Sequence, residues 1–224
     1  MVSSVLAGLS IMVVGASHLV YPEHLLSSLH NGLIAQGASV YSIGICGATP
    51  ADWLGTKPGD CGAERRGKNP AVPMAKAQTM PITDLIAREK PDLIVVVMGD
   101  SLASYSQSAF PKNWAWQTTT QFVKAIANTG TSCIWVGPPW GSEGGGYNKT
   151  YARVRQVSSF LASNVAPCTY IDSLKFAKPG EWPSIDGTHL KNSSYQAWGK
   201  AITESVIQIE KSHAPSNSKN REKP

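Results

Sequence analysis

Strands and helices alternate along almost the whole sequence, and the predicted strands are continuous apolar runs. These runs are Leu9–Val14, Leu93–Met98, Cys133–Val136 and Cys168–Ile171, with Ser39–Ile43 as a weaker fifth. The spacing of apolar residues between them predicts helices over Pro22–Ala35, Ala75–Lys90, Gln117–Asn128, Lys149–Ser163 and Ser193–Glu210. Continuous apolar strands separated by helices are typical of a parallel sheet that is covered on both faces. The sequence therefore predicts an α/β fold.

The composition is that of a folded chain with one domain. Of its 224 residues, 42% are hydrophobic and 16% are charged. This balance excludes a disordered chain, and the length suits a single domain. We predict one domain over residues 1–210 and a disordered tail over residues 211–224, which are rich in Ser, Asn, Lys and Pro. Ala51–Pro73 interrupts the alternation and is predicted to be a loop over one end of the sheet.

The net charge of +5 does not indicate nucleic acid as a partner. Three of these charges come from Lys211–Pro224, and Arg65–Arg66 is the only adjacent basic pair in the rest of the chain. A phosphate-binding surface would need clustered Lys and Arg. No apolar run reaches the roughly 18 residues of a membrane-spanning helix, and the cysteines lack the CxxC spacing of a zinc site. We expect no nucleic acid, no membrane span and no metal.

The residues that directly follow the strands are the candidates for chemistry, because ligands bind beyond the carboxyl ends of parallel strands. Ser17 follows the first strand and precedes a helix, so its hydroxyl can project from the sheet edge. Asp186 and His189 follow the last strand and are three residues apart, so within one helical turn they would share a face. A hydroxyl, a base and a carboxylate that orients the base are the parts of a nucleophilic acyl-transfer site.

Four sequence blocks resemble those of the SGNH, or GDSL, hydrolases. They read VVGASHL around Ser17, SIGICGATPADWL around Gly47, VVVMGDSLASY around Ser101 and DGTHL at the end. The resemblance covers nearly all of Leu9–Ile209, and the blocks occur in the family's order. It implies a flavodoxin-like three-layer sandwich with a five-stranded parallel sheet. It also implies a serine esterase that uses no cofactor.

The resemblance assigns roles to single residues. Ser17 would be the nucleophile, His189 the general base, and Asp186 the carboxylate that orients His189. The amides of Ser17 and Gly47 would form part of the oxyanion hole. Ser101 stands where the family has the Asn that completes this hole.

The sequence departs from the family pattern at two positions. Ala16 replaces the Asp that usually precedes the nucleophile. That Asp takes no part in the chemistry, so its loss should matter little. A hydroxyl at Ser101 can donate one hydrogen bond but is shorter than a carboxamide, and loss of one oxyanion donor costs about 3 kcal/mol. A slow enzyme is therefore expected. The literal string GDSL at Gly99–Leu102 would instead make Ser101 the nucleophile, but this alignment leaves the VVGASH block unexplained.

Several tryptophans lie in predicted loops, where exposed aromatic rings can stack on sugars. Trp53 and Trp140, together with Asp100, are the candidate substrate-binding residues, and an O-acetylated carbohydrate is the expected substrate. Other small-molecule esters stay open. Trp135 and Trp198 are predicted to lie in the core. His18, His24, His30 and His213 are interpreted as ordinary loop, helix and tail residues.

Three other functions stay open at this point. The same triad would serve a carbohydrate O-acetyltransferase, in which a sugar hydroxyl replaces water. A catalytically decayed carbohydrate-binding domain is suggested by the missing Asn. The segment VVGAS also resembles the start of a dinucleotide-binding motif, but no further Gly follows that would let the backbone approach a pyrophosphate.

Four cysteines allow two disulfides, which favour an oxidising compartment, although four buried thiols in a cytosolic protein would have the same sequence. Cys133 and Cys168 begin neighbouring strands in the strand order 2-1-3-4-5 that the resemblance implies. A bond between Cys46 and Cys61 would close the predicted loop near Gly47. We expect a periplasmic or secreted protein, although the N-terminus lacks the basic residues of a signal peptide. The sequence does not indicate an oligomeric state.

Overall fold

The computed structural model describes residues 4–213, which form a sheet of seven strands with helices on both faces. The strands are β1 (Ser10–Gly15), β2 (Ser39–Ile45), β3 (Gly62–Arg66), β4 (Val72–Pro73), β5 (Leu93–Val97), β6 (Ser132–Val136) and β7 (Thr169–Ile171). The helices are α1 (Leu25–Ala35), α2 (Ile82–Glu89), α3 (Lys112–Ala127), α4 (Tyr151–Asn164) and α5 (Asn192–His213). The predicted α/β three-layer fold is confirmed.

The sheet runs in the order β4-β3-β2-β1-β5-β6-β7, and the five strands β2, β1, β5, β6 and β7 are parallel. Alternate residues of each central strand face opposite layers. Met12 and Val96 pack with α2, α3 and α4, whereas Val13 and Val95 pack with α1 and α5. All five parallel strands therefore point their carboxyl ends to one edge of the molecule.

The prediction of a loop over Ala51–Pro73 is wrong. This segment adds β3 and β4 to the sheet as an antiparallel extension of β2, so the sheet has seven strands and not five. The strand β3 reads GAERR and has no apolar run, because only Ala63 and Gly62 are buried and the charged side chains lie at the sheet margin. Tyr41 of β2 donates a hydrogen bond of 2.7 Å to the Glu64 carboxylate across this pair.

The observed helix starts differ most from the predicted ones where a proline lies nearby. The helix predicted from Ala75 begins only at Ile82, directly after Pro81, and the helix predicted from Gln117 begins already at Lys112, directly after Pro111. Proline suits the start of a helix because it lacks the amide hydrogen that the helix would leave unpaired there. The last helix continues through His213, and the rest of the predicted tail, residues 214–224, lies outside the described residues.

Both cysteine pairs that the sequence analysis considered are bonded, which settles a point it left open. One disulfide joins Cys133 of β6 to Cys168, the residue before β7, with a Cα–Cα distance of 4.6 Å. The other joins Cys46, directly after β2, to Cys61, directly before β3, with a Cα–Cα distance of 5.2 Å. The two bonds therefore tie strands together at the two sides of the sheet.

Two of the tryptophans are core residues, as predicted. Trp135 and Trp198 are fully buried on opposite faces of the sheet. Over residues 4–213, no helix combines the length and the apolar character needed to cross a bilayer.

Candidate active site

A cavity of about 470 Å³ lies at the carboxyl edge of the sheet. It is lined by residues that follow β1, β2 and β5 and by the segment before α5, among them Ser17, His18, Gly47, Asp100, Ser101, Thr188 and His189. A larger groove of about 680 Å³ lies between α4 and α5, but no histidine lines it. The smaller cavity is therefore the candidate active site.

Three of the predicted residues form one continuous chain of hydrogen bonds in this cavity. The Ser17 hydroxyl lies 2.7 Å from Nε2 of His189, and Nδ1 of His189 lies 2.6 Å from Oδ2 of Asp186. With the His189 proton on Nδ1, Nε2 can accept the proton of the Ser17 hydroxyl. This is the arrangement by which a base activates a serine nucleophile.

The loop before α5 orients Asp186 and His189 through the backbone. Oδ1 of Asp186 accepts hydrogen bonds from the amides of Thr188 at 3.0 Å and His189 at 2.8 Å. The pair does not lie in a helical turn, because α5 begins only at Asn192. A carboxylate that binds amides two and three residues ahead closes a tight turn of its own, and this turn explains the spacing of three.

The same contacts set the ionisation of Asp186. Partial burial alone would raise the pKa of this carboxyl, but the hydrogen bonds from the His189 ring and from the two amides outweigh burial and lower it. Asp186 is therefore a carboxylate at neutral pH. Its charge stabilises the imidazolium that His189 becomes when it takes a proton.

A short 3-10 helix, Ser17–Leu19, presents the nucleophile directly after β1. The backbone of this turn lies against β2 at Gly44, where an added Cβ would stand 2.6 Å from Cβ of Leu19 and 2.8 Å from its carbonyl oxygen. Any larger residue at Gly44 would push the turn away from the sheet. The position of Ser17 therefore depends on a close contact between backbones.

Gly47 and Ser101 both line the cavity. Gly47 has a φ of +71°, an added Cβ there would meet no atom within 4 Å, and its amide donates to no other described residue. The Ser101 hydroxyl is buried and has no hydrogen-bond partner among the described residues. His189 bonds Ser17 and not Ser101, which disfavours Ser101 as the nucleophile.

The predicted substrate contacts of Trp53 and Trp140 are wrong. Trp53 is 0% exposed and belongs to the core, and Trp140 is 7% exposed, with its indole nitrogen donating to the carbonyl of Leu174. Neither ring lines the cavity. Their loops fold back over the sheet, so these rings close the core beneath the loops.

Asp100 lines the cavity, but its carboxylate is already fully engaged by the protein. Oδ2 accepts from Nε2 of His18 at 2.9 Å, and Oδ1 accepts from Nζ of Lys149 at 2.9 Å and from the Tyr105 hydroxyl. Nδ1 of His18 lies 2.7 Å from the Tyr195 hydroxyl. The predicted substrate-binding role of Asp100 is therefore wrong, since both oxygens serve internal contacts.

The ionisation of this cluster follows from burial and charge. Burial would raise the pKa of the Asp100 carboxyl, but the Lys149 ammonium and the hydrogen bond from His18 hold it well below its ordinary value. Burial lowers the pKa of His18, although Asp100 opposes this effect. A neutral His18 with its proton on Nε2 satisfies both contacts, because it donates to Asp100 and accepts from Tyr195.

Sequence reasoning missed His18, His24 and Lys149 as site residues. The ring of His24 stacks on Tyr195 at 4.2 Å and lies 5.8 Å from the His189 ring, while Nδ1 of His24 is 3.2 Å from the Ser17 carbonyl oxygen. His18 adjoins the nucleophile and Lys149 ends a glycine-rich segment. Only the position of His18 next to Ser17 was a usable signal.

The buried ion pair predicts a large effect of removing its carboxylate. Asp100→Asn leaves the Lys149 ammonium, which is 0% exposed, without a countercharge, and we expect a loss of about 3–5 kcal/mol in the free energy of unfolding. Urea denaturation measures this loss. The double variant Asp100→Asn with Lys149→Met removes both charges and should recover most of it. A single variant within about 1 kcal/mol of wild type would contradict a structural ion pair.

Buried histidines predict a loss of stability in mild acid. Burial lowers the pKa of both His24 and His30 to about 4. The unfolded chain therefore takes up protons near pH 6.5, before the folded protein does. Each residue should cost about 2 kcal/mol of unfolding free energy between pH 7.5 and 5.

Denaturant melts at several pH values test this expectation. His30 lies away from the cavity, where it bonds Ser42 and the carbonyl of Gly67. The variant His30→Gln should therefore reduce the slope of the free energy of unfolding against pH. Because His30 does not line the cavity, the substitution leaves the candidate active site untouched. An unchanged slope would show that His30 has the same pKa in the folded and unfolded states, and would contradict this expectation.

Over about nine-tenths of its length, the chain is similar to a known protein in sequence and to several solved structures in fold. It is 40% identical to Protein BcsX of Komagataeibacter xylinus over 209 residues, which cover 92% of this chain and 79% of that protein. No protein-family model matches the sequence.

Two solved structures illustrate the likeness in fold. A catalytic mutant of the acetylxylan esterase Axe2 from Geobacillus stearothermophilus has a TM-score of 0.55 at 15% identity, over 89% of this chain and 94% of that one. A GDSL-like lipase from Bacteroides thetaiotaomicron has a TM-score of 0.56 at 11% identity, over 89% of this chain and 88% of that one. The chain belongs to the family of Protein BcsX and has the fold of the SGNH, or GDSL, hydrolases.

Proposed function

We propose that the protein is a serine esterase that works through an acyl-enzyme on Ser17. The contact of the Ser17 hydroxyl with Nε2 of His189, and of His189 with Asp186, carries this proposal. Ser17 attacks the ester carbonyl while its proton passes to His189. The alcohol then leaves with that proton, and a water molecule activated by the same base hydrolyses the acyl-enzyme.

The oxyanion of the tetrahedral intermediate needs donors that are otherwise free. We assign the amides of Ser17 and Gly47 and the hydroxyl of Ser101 to this task. Two observations support the assignment: the free amide of Gly47 and the buried, unpartnered hydroxyl of Ser101 on the cavity wall, both judged over the described residues. A buried hydroxyl without a partner is costly, and a transient oxyanion would supply one.

The proposed substrate is a carbohydrate O-acetyl ester. The likeness to an acetylxylan esterase supports this class. Hydroxyl, aromatic and carboxylate groups that can contact a sugar line the cavity of about 470 Å³, together with the apolar residues Val97 and Met98. The unbroken series of hydrogen bonds from Ser17 through His189 to Asp186 disfavours the alternative of a catalytically decayed binding domain. Hydrolysis and transfer to a sugar hydroxyl use the same triad.

A periplasmic or secreted location fits the two disulfides, Cys46–Cys61 and Cys133–Cys168. Structural disulfides persist in oxidising compartments and are rare in the cytosol. We therefore propose that the enzyme acts on an extracytoplasmic carbohydrate. Fractionation of the native host with an antibody to the protein would test the location.

The nucleophile and the substituted oxyanion donor can be separated by mutation. We expect Ser17→Ala to abolish turnover of p-nitrophenyl acetate and labelling by a serine-directed phosphonate. Ser101→Ala should lower kcat by about 10²-fold, the usual cost of one oxyanion donor, yet still be labelled. Initial rates and intact-protein mass spectrometry measure both effects.

Ser106→Ala is the matched control, because Ser106 is exposed on the loop that follows Ser101 and does not line the cavity. It should behave as wild type. Labelling that disappears only in Ser101→Ala would overturn the assignment of Ser17. A wild-type protein that neither turns over nor labels would point to a binding domain. If added sugar acceptors accelerate the release of p-nitrophenol, the protein is an acetyltransferase.

A further inference from the structure

Two half-exposed tyrosines stand at the mouth of the catalytic cavity. Tyr21 and Tyr147 are each 48% exposed and both line the cavity. Neither belongs to a hydrophobic core cluster. Aromatic rings held in contact with solvent beside a nucleophile are available to contact a bound molecule.

The backbone around Tyr147 forms a tight turn that fixes its position. Gly144 and Lys149 exchange two backbone hydrogen bonds, of 2.7 and 3.1 Å, and the amide of Asn148 donates to the carbonyl of Gly145. Gly144, Gly145 and Asn148 all have positive φ, a conformation that glycine and asparagine tolerate best. The turn places the Tyr147 ring 5.7 Å from the ring of His189.

This turn is fastened to both halves of the site. At one end, the buried Lys149 ammonium binds Asp100 at 2.9 Å and the carbonyl of Pro139 at 3.0 Å. At the other end, Gly145 touches the backbone of Asp186 so closely that an added Cβ would lie 2.0 Å from its carbonyl oxygen. The backbone that carries Tyr147 is therefore held in a defined place relative to Asp186 and His189, which reduces the entropic cost of binding.

Another part of the cavity lining combines an aromatic ring with a carboxylate. The Tyr21 ring lies 5.2 Å from the ring of His24, and its hydroxyl lies 3.8 Å from Sγ of Cys61. Asp60, the residue before Cys61, also lines the cavity and forms no ion pair within the described part of the chain. The disulfide to Cys46 holds this segment beside the site.

We propose that Tyr147, with Tyr21 and Asp60, binds the sugar ring on the alcohol side of the ester. This inference rests on the proposed esterase function and names the part of the site that selects the leaving group. The apolar C–H face of a pyranose packs on an aromatic ring, and its hydroxyls donate to a carboxylate. A long acyl chain would instead require aliphatic side chains at the mouth, where the exposed groups are tyrosines and a carboxylate.

The test compares esters with and without a ring in the alcohol. Mono-O-acetylated methyl glycosides of glucose, xylose and N-acetylglucosamine carry the ring, and 2,2,2-trifluoroethyl acetate does not. We expect Tyr147→Ala to lower the ratio of kcat/KM for the best glycoside to kcat/KM for trifluoroethyl acetate by about tenfold, mainly through KM. Tyr147→Phe keeps the ring and should keep the ratio. Trp116→Ala, at an exposed aromatic outside the cavity, is the control.

Binding measured without turnover separates this inference from the proposed function. In the Ser17→Ala background, isothermal titration with the same acetylated glycosides should show a Kd that rises about tenfold with Tyr147→Ala and not with Tyr147→Phe. If Kd rises in this way but the wild-type protein hydrolyses none of the esters, the esterase proposal is contradicted and the sugar-binding role of Tyr147 is supported. An unchanged Kd, or an equal loss of kcat/KM on both kinds of ester, would overturn the role of Tyr147.

Discussion

One buried carboxylate, that of Asp100, holds together the segments that form the cavity. It binds His18, which follows the nucleophile, and Lys149, which ends the turn that carries Tyr147. A carboxylate can be buried only when donors and a countercharge replace water, so these segments must meet for the chain to fold around it. Because Asp100 also immediately precedes Ser101, the same contact places the proposed oxyanion hydroxyl.

The site contains two carboxylate–histidine pairs in different surroundings. Asp186 is partly exposed and binds His189, whose other nitrogen faces the Ser17 hydroxyl. Asp100 is buried and pairs with Lys149, and burial lowers the pKa of its other partner, His18, which stays a neutral bridge to Tyr195. Similar side chains thus face a serine hydroxyl in one pair, where we propose proton transfer, and form a buried support in the other; the difference lies in solvent access and in the third partner.

Most of the fold and the triad could be predicted from sequence, because they depend on local patterns. Apolar runs mark the parallel strands, and the spacing of three between Asp186 and His189 fits the turn that the Asp186 side chain closes. The misassigned residues depend on long-range packing. Whether the loop of Trp140 folds inward, or whether Lys149 reaches Asp100 across 49 positions, is decided by the assembled sheet. The strands at 62–73 were missed since short strands near the margin of a sheet need no apolar run.

Both margins of the sheet are short. One ends in β4, which has two residues and includes Pro73, and the other ends in β7, which has three residues. Proline lacks an amide hydrogen, and few backbone groups are left unpaired along either margin. Neither margin therefore offers a template on which an extended segment of another chain could add as a further strand, so the sheet is protected against edge-to-edge association.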